Sequence, residues 1–406
     1  MKANDFLNTL GVDTHYLWQR TLTAANVQTI LAYTGIRHTR EDGNPDTASL
    51  QALCDIHAAL GSTFDVISWG GDMTDTLTFY HYLASCGALL ATEGVNEPNN
   101  FGNFTYLGAT CGHGGTYRGC AYWQRDLYST IKADPQLSGY PVWAETEPGA
   151  EPDNMGLQFL TIPSGTGAAM PDGTKYADAW NLHNYVKCNG CGAPYDNVAW
   201  QAEAPNGKEG AFDGPDGEFL NSTFGQHFPA YPVSTNLPRV TTETGWDTAS
   251  VSQDQQGKLL TNVYLSAASR GWSHTFVYQA KDDYDSFGIY DSSMNPKLAA
   301  TYIHNLTRIL GDTSSNFSVT PLSYTISNEP STVHDWLMQK SSGTYELTIW
   351  GDQVVGESVD VTVNLPRLTT VSIYDVTIGS SPVKAFNNIS SIPLTITDHA
   401  MILEFK

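Results

Sequence analysis

The sequence predicts an α/β fold, a (β/α)8 TIM barrel, followed by a small antiparallel β-sandwich domain. Over the first three-quarters of the 406-residue chain, β-type runs alternate with helical patterns, which is typical of a barrel with parallel strands. From about residue 312 the helical periodicity stops, and short alternating runs take its place. We therefore predict two domains, residues 1–312 and 313–406. No long linker lies between them, so we expect them to pack rigidly on each other.

The barrel strands are predicted from runs rich in β-branched and apolar residues. These runs cover residues 10–16, 35–40, 64–69, 89–97, 141–147, 180–185, 239–246 and 274–279. The helical patterns cover residues 24–33, 47–60, 74–84, 122–133, 154–160, 253–269 and 295–310. The fifth unit is the least regular, because a loop at 163–175 follows its short helix. In this fold the active site lies at the carboxyl ends of the strands.

An unusually long loop, residues 187–237, follows the sixth strand. It contains clusters of Gly, Pro, Asn and Asp together with Trp200, and loops of this length in compact domains are usually functional. We interpret the loop as one wall of a substrate cleft. The alternative is a surface excursion that its own disulfide stabilises.

The C-terminal region is predicted to form an antiparallel β-domain of about 90 residues. Its alternating runs cover residues 318–325, 333–340, 345–350, 358–363, 370–376 and 393–397. Turn signals at 341–343 and 378–380 separate neighbouring runs, as expected for a sandwich or half-barrel.

The composition argues against some classes of partner. The chain has 42 acidic and 20 basic residues, and its net charge of −22 would repel a nucleic-acid backbone or an anionic membrane. No apolar run is long enough to span a bilayer. Low charged content with many Asn, Ser, Thr and Gly is common in secreted enzymes. The first residues, 1–5, lack the apolar segment of a signal peptide, which fits either a mature form with a new Met or an intracellular protein.

Four of the six cysteines form two close pairs in loops. Cys111 and Cys120 flank a Gly-rich stretch, and Cys188 and Cys191 lie in a Gly/Pro-rich loop. We predict the disulfides Cys111–Cys120 and Cys188–Cys191, because each closes a short loop. Disulfides imply an oxidising compartment, so we expect a secreted or periplasmic protein.

Other interpretations of the cysteines remain open. A zinc site from the four loop cysteines with His113 or His183 is the rival, although the nine-residue spacing of the first pair fits no zinc ribbon. Cys54 and Cys86 fall within helical patterns, which favours buried thiols over a further disulfide.

Two predicted strand ends carry a glutamate. The fourth strand leads into Asn96-Glu97-Pro98, where the proline ends the strand and leaves Glu97 at the rim. The seventh strand contains Glu243, 146 positions downstream, whereas Glu93 is expected inside the barrel as a structural hydrogen-bonding group. Each glutamate alone is more typical of a solvated rim carboxylate. Two at barrel strand ends suit glycoside hydrolysis, in which one protonates the leaving oxygen and the other attacks the sugar or activates water.

The architecture and three groups of residues resemble glycoside hydrolase clan A, in the style of families 39, 5 and 30. The groups are Glu93-Gly94-Val95-Asn96-Glu97-Pro98-Asn99, Thr242-Glu243-Thr244-Gly245-Trp246 and the segment from Tyr278 to Lys297. The resemblance covers nearly the whole chain as architecture but only these patches as sequence. It implies that Glu97 is the acid/base and Glu243 the nucleophile of a retaining enzyme. It also implies that Asn96 holds the sugar 2-hydroxyl and that an Arg lies on the second strand.

The remaining candidates for substrate binding lie at or near strand ends. Arg40 is the expected donor to Glu243, with Arg37 as the alternative because the strand register is open. The others are His15 on strand one, Trp69 on strand three, His183 and Tyr185 on strand six, Trp246 on strand seven and Tyr278 on strand eight. Sugar rings stack on aromatic faces, so one or two Trp residues are expected to form a platform. Tyr278 or Tyr284 is expected to form the floor of the sugar-binding site, a position at which the family more commonly has a Trp.

Together these features predict a retaining glycoside hydrolase that cleaves β-linked poly- or oligosaccharides by double displacement, without a cofactor or a metal. Several aromatic residues around an open cleft favour endo action, whereas the long loop after strand six would allow an exo-acting pocket. The alternatives are a transglycosylase and a carbohydrate-binding barrel without catalysis. We expect a monomer whose partner is a glycan.

Overall fold

A parallel eight-stranded barrel forms the first part of the computed structural model, and an antiparallel β-domain follows it. The structure describes residues 1–18, 22–98, 104–112, 118–146, 174–181, 183, 237–351 and 357–406. The barrel strands are β1 (Leu10–Asp13), β2 (His38–Asp42), β3 (Thr63–Ile67), β4 (Leu89–Glu93), β5 (Val142–Trp143), β6 (Trp180–Asn181), β7 (Arg239–Thr244) and β8 (Trp272–Val277). They pair in the order β5-β4-β3-β2-β1-β8-β7-β6, and a parallel bridge between Trp143 and Ala179 joins the two ends. The predicted fold class is therefore confirmed.

The helices begin and end at residues that the sequence marks locally. They are α1 (Ala3–Leu7), α2 (Ala24–Thr34), α3 (Thr47–Leu60), α4 (Met73–Ser85), α5 (Arg118–Ala133), α6 (Gln253–Ser269) and α7 (Leu298–Ile309). Thr23 starts α2 with a capping box, and Gly35 ends it in the left-handed conformation at φ 71°. The helix predicted at 154–160 and nearly all of the long loop lie outside the described residues. Among the described helices, none is both long and apolar enough to cross a membrane.

Charged residues occupy one level of the barrel interior. Asp13, Arg40 and Asp65 are in register on β1, β2 and β3, and all three are fully buried. One layer nearer the amino ends of the strands, the ring of Phe276 fills the interior opposite Gly11. A Cβ at position 11 would overlap that ring, so only glycine fits there. The apolar layer therefore seals the barrel below a charged layer that faces the carboxyl ends of the strands.

The C-terminal domain is one antiparallel sheet that folds over on itself. Its strands are β9 (Thr325–Ser327), β10 (Val333–Gln339), β11 (Tyr345–Gly351), β12 (Val359–Asp375), β13 (Lys384–Ile396) and β14 (Met401–Phe405). The long strand β12 changes neighbour along its length, pairing with β9 at residues 362–364 and with β14 at residues 371–375. The two halves enclose a separate apolar core that includes Leu347, Ile392 and Leu403.

The second domain packs on the last two helices of the barrel. On α6, the Asn262 side-chain amide donates to the carbonyl oxygen of Asp398 at 3.1 Å. On α7, the Asn305 amide donates to the carbonyl oxygen of Val376 at 2.8 Å. The amino terminus of the chain also pairs with β10, through a parallel bridge between Lys2 and Gln339, the last residue of that strand. These contacts agree with close packing of the two domains, and the boundary between residues 312 and 313 stays a prediction.

The described residues contain two disulfides. One is the predicted pair Cys111–Cys120, with Cα atoms 4.7 Å apart. The other joins Cys54 on α3 to Cys86 at the end of α4, so the interpretation of these two as buried thiols is wrong. Successive helices of a barrel are neighbours on its outer surface, which brings these Cα atoms to 5.9 Å although 32 positions separate them. The predicted Cys188–Cys191 pair lies outside the described residues.

Candidate active site

Glu97 and Glu243 meet at the carboxyl ends of the barrel strands. Glu243 lies on β7, and Glu97 follows β4 on the other side of the barrel mouth. One carboxylate oxygen of each, together with a ring nitrogen of His183, all lie within 4.8 Å of one another. Both glutamates are buried, with 5% and 7% of their surface exposed. This arrangement brings the two carboxyl groups close enough to act on the same bond.

The segment that carries Glu97 differs from the sequence prediction. The sequence predicts a strand that runs to Glu97, but β4 ends at Glu93 and the chain then leaves the sheet. At Gly94 the backbone of Glu145 packs so closely that a Cβ would overlap it. Glu97 itself has φ 37°, in the left-handed region that no strand residue adopts. The backbone therefore turns Glu97 over the barrel mouth instead of along its wall.

His183 fixes the carboxyl group of Glu97. Its Nδ1 lies 2.6 Å from Glu97 Oε1, and its Nε2 lies 3.0 Å from the hydroxyl oxygen of Thr242 on β7. The backbone N–H of Glu97 donates to the hydroxyl of Thr146 at 3.2 Å. An imidazole nitrogen can either donate or accept, so this contact persists whether Glu97 is protonated or ionised. That property suits a group that must give up a proton and later take one back.

Arg40 holds Glu243 from the other side. Its Nη1 donates to Glu243 Oε1 at 2.7 Å, and its Nε donates to Glu93 Oε2 at 2.9 Å. Its Nη2 donates to Asn96 Oδ1 at 2.8 Å. Arg37, the alternative from the sequence, instead donates to Asn8 Oδ1 at 2.6 Å on the outside of the barrel. The structure therefore places Arg40 at Glu243 and Glu93 inside the barrel as a structural partner.

Two of the buried acids around Arg40, Asp13 and Asp65, were not predicted from the sequence. Burial raises the pKa of Asp13 well above its usual value, with Glu243 adding to the rise and Arg40 opposing it. Burial also raises the pKa of Asp65, and the neighbouring Glu93 raises it further. Both shifts favour the neutral form of the aspartic acid, which limits the negative charge that one guanidinium must balance. A charged residue inside the otherwise apolar run Phe64–Ile67 was the available signal for Asp65.

His15 is a second charged group beside Glu243. Its Nδ1 lies 2.7 Å from Asp42 Oδ2, and its ring also lies in a group with Asp13 and Glu243 whose ligand atoms are within 4.8 Å of one another. Burial alone would lower the pKa of His15, but the charges of Asp42, Asp13 and Glu243 raise it to about 9. His15 is therefore an imidazolium at neutral pH, and its positive charge lies beside the carboxyl group of Glu243.

The aromatic candidates lie in different environments. Tyr278 follows β8, its ring centroid lies 5.6 Å from that of His15, and its hydroxyl lies 2.7 Å from the hydroxyl of Tyr284. Trp246 is 2% exposed and packs in the hydrophobic core, so it offers no open face for a sugar. Trp69 follows β3 and is 44% exposed. Tyr185 lies outside the described residues.

Solved glycoside hydrolases share this architecture over nearly the whole chain. A family 39 glycoside hydrolase from the gut symbiont Bacteroides cellulosilyticus is 13% identical with a TM-score of 0.59, over 99% of this chain and 82% of that one. An endo-β-1,6-glucanase is 12% identical with a TM-score of 0.52, over 98% and 91%. The catalytic domain of a family 30 xylanase from Talaromyces cellulolyticus is 11% identical with a TM-score of 0.50, over 98% and 96%.

The chain has the fold of these hydrolases. No protein-family model and no curated protein sequence matches it, so the likeness lies in the three-dimensional arrangement. At such low identity a shared barrel does not specify the reaction, since one fold supports many activities. The reaction therefore depends on the residues at the barrel mouth.

Proposed function

We propose that the protein is a retaining glycoside hydrolase that cleaves β-glycosidic bonds by double displacement. The observation that carries the proposal is the pair Glu97 and Glu243, with carboxylate oxygens within 4.8 Å of each other. Retaining enzymes need carboxyl groups about 5–5.5 Å apart, whereas inverting enzymes need about 6.5–9.5 Å to admit a water. The spacing therefore favours direct attack of one carboxylate on the sugar over attack by an interposed water.

The different partners of the two glutamates give them different roles. Glu243 accepts from Arg40 and lies beside the His15 imidazolium, so its ionised form is stabilised and it acts as the nucleophile. Glu97 contacts the imidazole of His183, which tolerates both protonation states, so it acts as the acid/base. The contact of 3.6 Å between His183 Nδ1 and Glu243 Oε2 is longer and secondary.

The reaction then follows in two steps. Glu97 gives its proton to the glycosidic oxygen while a Glu243 oxygen bonds to the anomeric carbon, and the leaving sugar departs as an alcohol. Glu97, now ionised, takes a proton from water, whose oxygen attacks the anomeric carbon from the vacated face. The bond to Glu243 breaks, and the product has the starting anomeric configuration.

Asn96 then holds the 2-hydroxyl of the sugar that reacts, and its own contacts support this role. Its Oδ1 accepts from Arg40 Nη2 at 2.8 Å and from the Thr146 hydroxyl at 3.4 Å. With the oxygen occupied in this way, the amide NH2 group is the end directed to the substrate. A donor fixed before substrate binds strengthens its hydrogen bond in the transition state without reorganisation.

The substrate class that fits is an uncharged β-linked poly- or oligosaccharide. A net charge of −22 disfavours an anionic glycan, and two proteins of the same fold are named as a xylanase and an endo-β-1,6-glucanase. Two disulfides among the described residues agree with a protein exported to an oxidising compartment.

A trapping experiment tests the mechanism. A 2-deoxy-2-fluoro glycoside with a good leaving group slows both steps but lets the first proceed, so the covalent intermediate accumulates. We expect mass spectrometry of the digested protein to find the label on the peptide that contains Thr242-Glu243-Thr244. Proton NMR during hydrolysis should show the retained anomer first. An inverted first product would make Glu243 at most a general base and would overturn the proposal.

A further inference from the structure

Two exposed aromatic residues follow β1 and β8, the strands on the side of the barrel away from Glu97. Trp18 follows β1 and is 60% exposed, and Tyr284 follows β8 and is 77% exposed. The open face of an aromatic ring can stack on a sugar, so exposed rings beside the barrel mouth are suited to bind one. We propose that these two rings form a binding shelf for the sugar units on the non-reducing side of the cleaved bond. This inference rests on the proposed function.

The shelf is connected to the catalytic residues by short contacts. The backbone N–H of Trp18 donates to the carbonyl oxygen of His15 at 3.0 Å, so the Trp is held one turn beyond the imidazolium. His15 meets the ring of Tyr278, whose hydroxyl lies 2.7 Å from that of Tyr284. Since His15 lies beside Glu243, one residue links Trp18 to the nucleophile, and two residues, Tyr278 and His15, link Tyr284 to it.

Tyr284 is fixed although its ring is open to solvent. Its backbone N–H donates to Asp283 Oδ1 at 2.5 Å, and its hydroxyl is tied to the buried Tyr278. The buried amide of Gln279 donates to both Asp283 and Asp285, each at 3.1 Å, which holds the loop to the end of β8. A ring that is held in place before binding loses little conformational entropy when a sugar stacks on it.

The strand order tells which end of the glycan lies on the shelf. Around the barrel, three strands separate β4 from β8 in each direction, so β8 and its neighbour β1 face the Glu97 segment. Glu97 must approach the glycosidic oxygen, so the leaving sugar extends over the β4 side. The sugars that stay attached to Glu243 then extend away from Glu97, toward Trp18 and Tyr284. A shelf in this position binds a glycone longer than one sugar, as endo action requires.

Cleavage patterns of defined oligosaccharides test the shelf. Wild-type protein is first screened on β-linked polysaccharides, including xylan and β-1,6-glucan, and the one that is cleaved supplies oligosaccharides of two to six units labelled at the reducing end. We expect wild type to release unlabelled products of at least two sugars. Trp18→Ala and Tyr284→Ala should each lower kcat/KM on the longest oligosaccharide by on the order of tenfold. On an activated aryl monoglycoside the loss should be much smaller, so the ratio of the two kcat/KM values falls.

Two further variants sharpen the result. Tyr284→Phe keeps the ring but removes the hydroxyl contact, so we expect it to retain more of the ratio than Tyr284→Ala. Ile378→Ala, at a residue 71% exposed on the second domain, should leave the ratio at the wild-type value. An unchanged ratio in both alanine variants, with a wild type that cleaves the glycan, would overturn the shelf alone. A wild type that cleaves no glycan or aryl glycoside would overturn the proposed function together with the shelf.

Discussion

Replacing Arg40 by Met removes the cation from the charged level of the barrel. The guanidinium of Arg40 is fully buried. Its nitrogen atoms lie 2.5, 2.7 and 3.5 Å from carboxylate oxygens of Glu93, Glu243 and Asp13. Without it, Glu243 loses a donor and faces other buried acids with less compensating charge. We expect Arg40→Met to be folded but less stable, and to hydrolyse glycosides poorly.

The size of the stability loss can be worked out from burial. Removing one partner of a buried ion pair typically costs about 3–5 kcal/mol, because the remaining charge is left without compensation. Unfolding entropy near 60 °C is about 2.1 cal/mol/K per residue, or roughly 0.85 kcal/mol/K for 406 residues. Dividing the two gives a fall in thermal midpoint of about 4–6 °C at neutral pH.

The loss should depend on pH with a definite sign. The charge of Arg40 lowers the pKa values of Asp13 and Asp65, so without it these two pKa values rise further above their unfolded values and the folded variant takes up protons. Such groups destabilise the fold increasingly as pH rises above their ordinary pKa values near 4. We therefore expect a difference in thermal midpoint from wild type that is larger at pH 7.5 than at pH 4.5. Scanning calorimetry at both pH values measures it.

Arg37→Met is the matched control. Arg37 lies three positions earlier, contacts Asn8 and a carbonyl oxygen of Asp312, and lies outside the candidate site. It should cost about 1 kcal/mol at either pH and leave kcat/KM unchanged. For Arg40→Met we expect kcat/KM to fall on the order of 10²–10³-fold, as for loss of a preorganised donor. Equal, pH-independent losses of stability in the two variants, with hydrolysis intact, would refute the argument for a charge-balancing role.

Three further predictions concern separate parts of the chain. Glu97→Gln should lose most activity on glycosides with poor leaving groups but less on activated aryl glycosides, whose leaving groups need little protonation. Stopped-flow measurement of the first step compares the two losses. Equal losses on both kinds of substrate would show that Glu97 is not the acid. The double variant Cys54→Ser, Cys86→Ser should unfold with up to about 3–4 kcal/mol less stability in urea, since the lost cross-link closes 32 positions; no loss would argue against the disulfide. Burial alone would lower the pKa of His399, but its contacts with Asp375 and Asp398 raise it to about 9, so its stabilisation is full below pH 6.5 and lost as pH rises through 9. His399→Gln should therefore lower the thermal midpoint at pH 6 and leave it near wild type at pH 9.5; a difference that persists at pH 9.5 would contradict the assignment.

The sequence alone was sufficient for the architecture because its signals are local. Alternating β-type and helical periods mark the barrel units, and the helices at 47–60 and 253–269 begin and end where the pattern predicts. The same patterns located Glu97 and Glu243 near strand ends, and the parallel barrel then brings such ends to one face. Each of these inferences needs only the order of residues within a window of a few turns.

Only the tertiary structure decided which side chains meet. The choice between Arg40 and Arg37 depends on which residue of β2 points into the barrel, and a register slip of one residue reverses that. The disulfide between Cys54 and Cys86 depends on the packing of α3 against α4. Asp13 and Asp65 become a charged level around Arg40 only when three strands lie in register. Local propensity carries no information about such distant contacts, because burial and charge compensation arise only when separate elements pack together.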